Sequence, residues 1–502
     1  MNSQQENDRR RNDRGRERNR GGNTARAFSE STPAQRVREA DAARLVAFEV
    51  LRAVSKDNAY ANLVLPARIR QNRLDKRDAG LATELCYGAL RGKGTYDAII
   101  ASCVDRPLAE VDEAILDALR LGSHQLLAMR IPPHAAVNQT VGLARAVIGA
   151  GPASFINAVL RKIAAKDLAE WLDELTAGVT DQVKVAAIRQ AHPEWIVRAL
   201  RQSLVAHGRP VTEIDALLEA DNAAPVVNLV ALPGLGSPAE AFDADFTPGP
   251  LAVDSALSSG SDPGRLQSIC EGIVRVQDVG SQLVARALAS APVHTKDSAA
   301  EKWLDLCAGP GGKAALLAAL AAQRGATLLA NEPAEHRAEL VRKALAAVPN
   351  TAWKVQVGDG RQIGTSQPET FDRILIDAPC SGLGALRRRP ESRWRRTPAE
   401  VAELSQLQRE LLTAGLEALK PGGVLAYATC SPHPAETIAV ITDVLRKRDD
   451  LALLDAGEVI DGVALKPLDS AHPEPGLGKT SQLWPHLHAT DAMFLALISK
   501  KN

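Results

Sequence analysis

The chain lacks any apolar run long enough to cross a bilayer: its longest purely apolar stretch is Ala314 to Ala322, where a membrane helix needs about 20 residues. Its first residues also lack the apolar segment of a secretory signal, so a cytoplasmic protein with no membrane partner is expected. Paired cysteines are missing too. Cys86, Cys103, Cys270, Cys307, Cys380 and Cys430 are scattered without a CxxC spacing, which argues against both a zinc site and a disulfide framework. Six free thiols and no metal are expected. Net charge is absent, with 60 Lys and Arg against 60 Asp and Glu, yet residues 1–26 alone carry eight arginines against four acids and almost nothing apolar. Such a segment cannot bury enough surface to offset its ordering entropy, so residues 1–36 read as a disordered Arg-rich tail. That tail either holds RNA loosely, by phosphate neutralisation that weakens with salt, or only keeps the chain soluble.

With 502 residues and a prior of roughly 150 per domain, about three domains are expected. Residues 37–168 show apolar positions at helical spacing with few β-branched runs, as in Asp41-Ala-Ala-Arg-Leu-Val-Ala-Phe-Glu-Val-Leu-Arg52, and predict an all-α domain. Residues 169–270 predict a linker and a small α/β insert, with turns over the Gly, Pro, Asp and Ser of 233–264. From 271 to 502 the pattern alternates between strands and helices, which predicts βαβ units in a doubly wound, mostly parallel sheet of Rossmann type. Strands are expected at 303–308, 327–332, 353–357, 373–378, 424–429 and 492–498. Helices are expected around 313–323, 334–347, 399–419 and 434–447.

Asp305-Leu-Cys-Ala-Gly-Pro-Gly-Gly-Lys313 follows a strand and opens a helix. The small residues Cys307, Ala308, Gly309, Pro310, Gly311 and Gly312 let a ligand approach the backbone, where the helix amino end offers free N–H groups. Glu332 lies at the end of the next strand, twenty residues past Gly312, the distance at which a Rossmann-type sheet places a carboxylate on a ribose diol. A glycine turn alone serves packing as often as binding; the spacing to Glu332 favours binding. No GK[ST] follows and the loop is not GxGxxG, which disfavours ATP and NAD. Gly358-Asp359-Gly360 after the third strand offers Asp359 to an adenine amino group. S-adenosylmethionine fits all three features.

Ile376-Asp377-Ala378-Pro379-Cys380-Ser381-Gly382 recurs in altered form as Tyr427-Ala428-Thr429-Cys430-Ser431-Pro432. Each stretch delivers a cysteine just past the carboxyl end of a predicted strand, where parallel sheets collect ligands and catalytic groups. Taken singly, a cysteine is more often a small inert hydrophobe, and Cys86, Cys103, Cys270 and Cys307 keep that reading. The joint placement of Cys380 and Cys430 points instead to covalent chemistry. His192 and His433 read as packing or capping groups. Arg387-Arg-Arg-Pro-Glu-Ser-Arg-Trp-Arg-Arg396, directly after the first cysteine loop, reads as an RNA phosphate contact in preference to an ordinary solvated face.

These motifs carry a family resemblance. Glu84-Leu-Cys-Tyr-Gly-Ala-Leu-Arg91, Leu119-Arg-Leu-Gly-Ser-His-Gln-Leu126, Pro133-His-Ala-Ala-Val-Asn138 and Phe155-Ile-Asn-Ala-Val-Leu-Arg161 resemble the RNA-binding helical domain of the antitermination factor NusB. Val276-Gln-Asp-Val-Gly-Ser-Gln282, the DAPCSG stretch and the ATCSP stretch resemble motifs of the Nol1/Nop2/Sun family of RNA cytosine-5 methyltransferases, and the domain order is similar to its bacterial Sun type, which methylates 16S ribosomal RNA. Glu332 departs from the aspartate common in that family. The resemblance implies a class I methyltransferase domain using S-adenosylmethionine. It also implies attack on cytosine C6 by Cys430 and release assisted by Cys380. In that chemistry Asp377 is placed to bond the cytosine N3 and amino edge and to meet the methionine part of the cofactor, and Lys313, at the end of the cofactor loop, either lowers a thiolate pKa or holds the substrate. The partner is then RNA, with no second copy of the chain required; a monomer is expected. Two alternatives remain open: an RNA-binding assembly factor whose methyltransferase domain does not turn over, and an enzyme acting on transfer RNA or DNA.

Overall fold

The computed structural model describes residues 41–242, 246–258, 263–296, 300–446, 448–472 and 479–502. The tail expected over 1–36 lies outside the described residues. The front of the chain is all helical: α1 (Ala42–Asp57), α2 (Ala61–Gln71), α3 (Lys76–Arg91), α4 (Lys93–Cys103), α5 (Glu113–Leu127), α6 (Pro133–Val147) and α7 (Ala150–Ile163). Their apolar stripes close on one core that includes Leu51, Leu85, Ile99, Leu119, Ile156 and Leu160. Arg120 is drawn into this core because Asp97, Glu113 and Asp117 surround it at 2.7, 2.6 and 3.0 Å; a buried charge is tolerated when it is fully paired.

Four more helices follow, α8 (Leu168–Thr176), α9 (Gln182–Arg189), α10 (Glu194–Ala206) and α11 (Ile214–Asn222). They lead into a four-stranded antiparallel sheet of β1 (Asn228–Ala231), β2 (Phe246–Pro248), β3 (Ser255–Ser258) and β4 (Val274–Val276), in the order β2-β3-β1-β4. His192, read as a packing group, is buried just before α10.

The catalytic half enters through α12 (Val279–Ser290) and contains a larger sheet. Its strands are β5 (Lys302–Asp305), β6 (Thr327–Glu332), β7 (Trp353–Val357), β8 (Phe371–Asp377), β9 (Leu419–Thr429), β10 (Leu451–Leu454), β11 (Ser481–Gln482) and β12 (Phe494–Lys500), ordered β10-β12-β9-β8-β5-β6-β7 with β11 on β12. The longer helices between them are α13 (Gly312–Gln323), α14 (Glu335–Leu345), α15 (Pro398–Ala418), α16 (Ile438–Leu445) and α17 (Ala456–Val463). The five strands from β7 to β9 are parallel, whereas β12 runs antiparallel to β9 and β10 antiparallel to β12. The sheet is therefore mixed, more so than the mostly parallel sheet expected. Leu451–Leu454 and Ser481–Gln482 were not expected as strands because four and two residues carry too little pattern to stand out.

From β5 the chain winds outward through β6 and β7, then returns across the sheet to β8 and β9. The order reverses between β5 and β8, and the crevice beyond the carboxyl ends of such neighbouring strands is where open α/β sheets bind ligands. Among the described residues no helix is long and apolar enough to cross a membrane.

Candidate active site

Asp305 ends β5, Glu332 ends β6, Asp377 ends β8 and Thr429 ends β9, so four strands deliver polar groups to one edge of the sheet. The loop after β5 is shaped by close approach. A Cβ on Gly309 would lie 2.2 Å from Glu332 Oε2, and Gly311, at φ 107°, would place one 2.4 Å from Ala344 Cβ of α14. Only glycine satisfies both the left-handed angle and the space at 311. Glu332 is thereby brought under the loop, where its carboxylate accepts from Gly309 N–H at 3.1 Å and Ala334 N–H at 3.2 Å. Arg337 lies 3.5 Å from Glu332 and donates to Gly309 O at 2.7 Å.

Asp305 is buried, and neither of its carboxylate oxygens has a partner in good hydrogen-bond geometry among the described residues, although the Cys307 N–H lies near enough to oppose its upward shift. Burial, reinforced by the nearby Asp377, pushes it up to about 7. An unpartnered buried carboxyl group costs stability; beside an open glycine cradle it fits a ligand that brings donors or positive charge. A Cβ at Gly312 would meet nothing within 4 Å. Cys307 is different: burial and Asp305 hold its thiol well above the ordinary range, which suits a packing role. Asp359 follows β7, and its carboxylate is engaged by Arg361, whose guanidinium also reaches Glu410 at 3.2 Å. Arg361 holds Asp359 below the usual carboxylate range.

The two cysteine loops meet. Cys380 Sγ and Cys430 Sγ are 3.4 Å apart, because β8 and β9 are parallel neighbours with Asp377 opposite Ala428. Lys313, on the first turn of α13, donates to Asp377 Oδ2 at 2.8 Å. Burial disfavours the ammonium, but Asp377 more than compensates and Lys313 is held charged, with its pKa raised. The S–H of Cys380 lowers the Cys430 pKa; burial and Asp377 oppose that shift, and Lys313 aids it. The same hydrogen bond, together with burial, keeps Cys380 protonated well above its ordinary range. Of two chemically identical groups in contact, Cys430 is thus the more acidic and Cys380 the more firmly protonated.

Sequence reasoning missed the groups beneath this pair. Glu436, fully buried, bridges Ser381 and Ser431, the residues that follow the two cysteines. Gln408 of α15 donates to Pro379 O at 2.8 Å, and Tyr427 OH donates to Glu436 O at 2.8 Å. The available signal was the serine repeated after each cysteine, which has no meaning until the strands are known to be adjacent. His433, read as a capping group, accepts from Ala435 N–H at 3.1 Å and caps the short turn leading to Glu436.

The arginine run at 387–396 is largely drawn into contacts within the protein, with Arg389 left exposed. Arg393 is 0 % exposed and donates to Asn222 Oδ1 at 2.8 Å and to the carbonyls of Ala191 and Asp221. Arg395 donates to the carbonyl of Asn58 at 2.9 Å and lies over the Tyr60 ring, as does Arg389. Arg387 donates to Ala489 O at 3.1 Å, Arg388 grips Asp491, and Glu391 accepts from Ala61 N–H at 3.1 Å. The segment therefore fastens the front helices and the insert to the catalytic domain. Orphan carbonyls at helix ends attract guanidinium groups inward, a demand that a local sequence does not reveal.

Comparison with known proteins agrees with this architecture. The family described as 16S rRNA methyltransferase RsmB/F matches residues 293–499, and the NusB family matches residues 41–165. A Mycobacterium tuberculosis protein named as a methyltransferase is 46% identical over 469 residues, 93% of this chain and 98% of the relative. The ribosomal RNA small subunit methyltransferase B of Vibrio cholerae is 34% identical over 445 residues, 87% of this chain and 93% of the relative. The crystal structure of PH0851 shares the fold, with a TM-score of 0.75 and 20% identity over 92% of this chain and 99% of that one. Matched at both ends by family and along nearly its whole length by such relatives, the chain belongs to the RsmB/F family of 16S rRNA methyltransferases, with a NusB-type helical domain ahead of the methyltransferase domain.

Proposed function

We propose that this protein methylates C5 of a cytosine in 16S ribosomal RNA through a covalent bond between Cys430 and C6 of the base, with S-adenosylmethionine as methyl donor. The observation that carries the reading is the thiol pair 3.4 Å apart, one sulfur acidified and the other held protonated. Cytosine C5 is too weak a nucleophile to accept a methyl group unaided, and thiolate addition at C6 turns the ring into an enamine reactive at C5. Asp377 accepts from the exocyclic amino group, and Lys313, 2.8 Å from it, supplies positive charge against the electron-rich adduct. Once Cys430 is bound to carbon it no longer accepts the Cys380 hydrogen bond. The largest cause of Cys380's raised pKa is then gone, its S–H proton passes to water, and the resulting thiolate takes the C5 proton. The C5–C6 double bond re-forms as Cys430 leaves. C5 and C6 are unreachable in a stacked helix, so the target base is unpaired or flipped out.

S-adenosylmethionine supplies an electrophilic methyl group when bound. Asp305 and the 307–312 backbone would hold its charged portion, Glu332 its ribose, and Asp359 is a candidate for its adenine. Glu332→Ala is expected to weaken S-adenosylmethionine binding by about 1–3 kcal/mol, through lost charge-assisted hydrogen bonds to the ribose. Calorimetry giving the parent dissociation constant would place the ribose elsewhere.

The substrate is tested by bisulfite sequencing of ribosomal RNA from a strain lacking the gene. One 5-methylcytosine should vanish from 16S RNA and return with the parent gene but not with a Cys430→Ala copy. An unchanged 16S pattern, with a site lost from transfer RNA, would overturn the assignment.

A further inference from the structure

Glu436 makes no contact that the proposed chemistry requires, yet it is wholly buried and every hydrogen bond of its carboxylate runs to the two cysteine loops or to their support. Oε1 accepts from Ser381 N–H at 2.7 Å and from the Gln408 amide at 3.3 Å. Oε2 accepts from Ser381 Oγ at 2.5 Å and Ser431 Oγ at 2.7 Å. The two hydroxyl oxygens are themselves 3.0 Å apart. Gln408 ties the same network to Pro379, and Tyr427 OH fixes the Glu436 backbone. One carboxylate therefore anchors the residue after Cys380 and the residue after Cys430.

We propose that Glu436 is a positioning residue: it clamps the loops after β8 and β9 so that the Cys380 and Cys430 sulfurs stay in contact. Strand pairing ends at Asp377 and Ala428, so beyond those residues the sheet no longer dictates where each loop goes. Gly384 N–H bonding to Cys430 O at 2.9 Å is one other link between the loops, and it fixes backbone to backbone without setting either sulfur. Removing the carboxylate would leave a backbone N–H, two hydroxyls and an amide to find new partners in a water-poor pocket, and networks of this kind rearrange as a unit. A displacement of about 1 Å at a reacting pair is enough to cost on the order of a hundredfold in rate. The effect on turnover rests on the two-thiol reaction proposed above; the effect on sulfur spacing does not.

Sulfur spacing is read directly by oxidation. Diamide accepts the two thiol hydrogens and is reduced to the hydrazine as the Cys380–Cys430 disulfide forms, and peptide mapping by mass spectrometry reports that disulfide in the full-length protein. Glu436→Ala should slow its formation by about tenfold or more, and Glu436→Gln, which keeps an acceptor for Ser381 N–H, by less than about threefold. The pH midpoint for iodoacetamide alkylation of Cys430 should rise in Glu436→Ala, and kcat should fall while KM for RNA holds. If Glu436→Ala does not fold, the Ser381→Ala/Ser431→Ala variant removes both hydroxyl contacts and should slow disulfide formation several-fold. Parent oxidation rates and alkylation midpoint in whichever of these variants folds would overturn the clamp. Failure of the cytosine mechanism shows elsewhere, as methylation that survives Cys430→Ala, and leaves the oxidation result standing.

Discussion

Replacing Cys430 with alanine is expected to reduce methyl transfer to RNA about a thousandfold or more while S-adenosylmethionine binds as it does to the parent. Cys430 sits after β9, where its sulfur meets Cys380 and lies within the influence of Lys313. The groups that would hold the cofactor lie after β5 and β6, at Asp305, the 307–312 loop and Glu332. Two sites on different strands can be impaired separately. Calorimetry with S-adenosylmethionine and single-turnover transfer of a radiolabelled methyl group to 16S RNA measure the two separately. Near-parent turnover would remove Cys430 as the nucleophile. Cys430→Ser should be almost as impaired as Cys430→Ala, since a serine hydroxyl is far less acidic than a thiol and stays protonated even with the Cys380 hydrogen bond and the Lys313 charge beside it.

Local chemistry was readable in the sequence where a function demands a fixed order of residues. The glycine loop after β5 is such a case: the turn, the approach of Glu332 and the packing on α14 each require a small residue at a set position, so the requirement is written along the chain. The cysteines are another, since each closes an apolar strand and the β8–β9 pairing that joins them is the ordinary arrangement of a doubly wound sheet. Contacts made between distant segments left no comparable trace. The arginines of 387–396 look like a solvated or phosphate-binding run, and only the folded chain shows that Asn58, Asn222, Ala191 and Ala489 present acceptors to them. Nothing in the sequence around Glu436 sets it apart from other acids, because the two serines against it are brought together only by the fold. The antiparallel side of the sheet escaped for a plainer reason. β10 and β11 are too short to show a period, and β12, although recognised as a strand, gives no local sign of its direction.

Replacing Cys380 with alanine is expected to have the opposite outcome to the loss of Cys430: the covalent bond to RNA forms and is not resolved. Cys380 donates the hydrogen bond that lowers the Cys430 pKa, so its loss should slow the first step, with Cys430 rising toward an ordinary thiol. The sign of the pH effect follows. Adduct formation in Cys380→Ala requires the thiolate and should quicken as pH rises from about 7 to 9, the range in which an ordinary cysteine ionises. Release needs a base at C5 and does not recover, because no thiolate at position 380 can form at any pH. Protein and RNA should therefore accumulate as a cross-linked species in the presence of S-adenosylmethionine. On a denaturing gel this appears as a slow-migrating band that RNase removes, that strengthens with pH and that is missing from the Cys380→Ala/Cys430→Ala double variant. The cofactor matters because release follows methylation, so a band formed equally well without it would mean that Cys380 acts before transfer. A band in Cys430→Ala and none in Cys380→Ala would exchange the two roles. No band in either would point away from covalent catalysis, and the sulfur contact at 3.4 Å would then need another purpose.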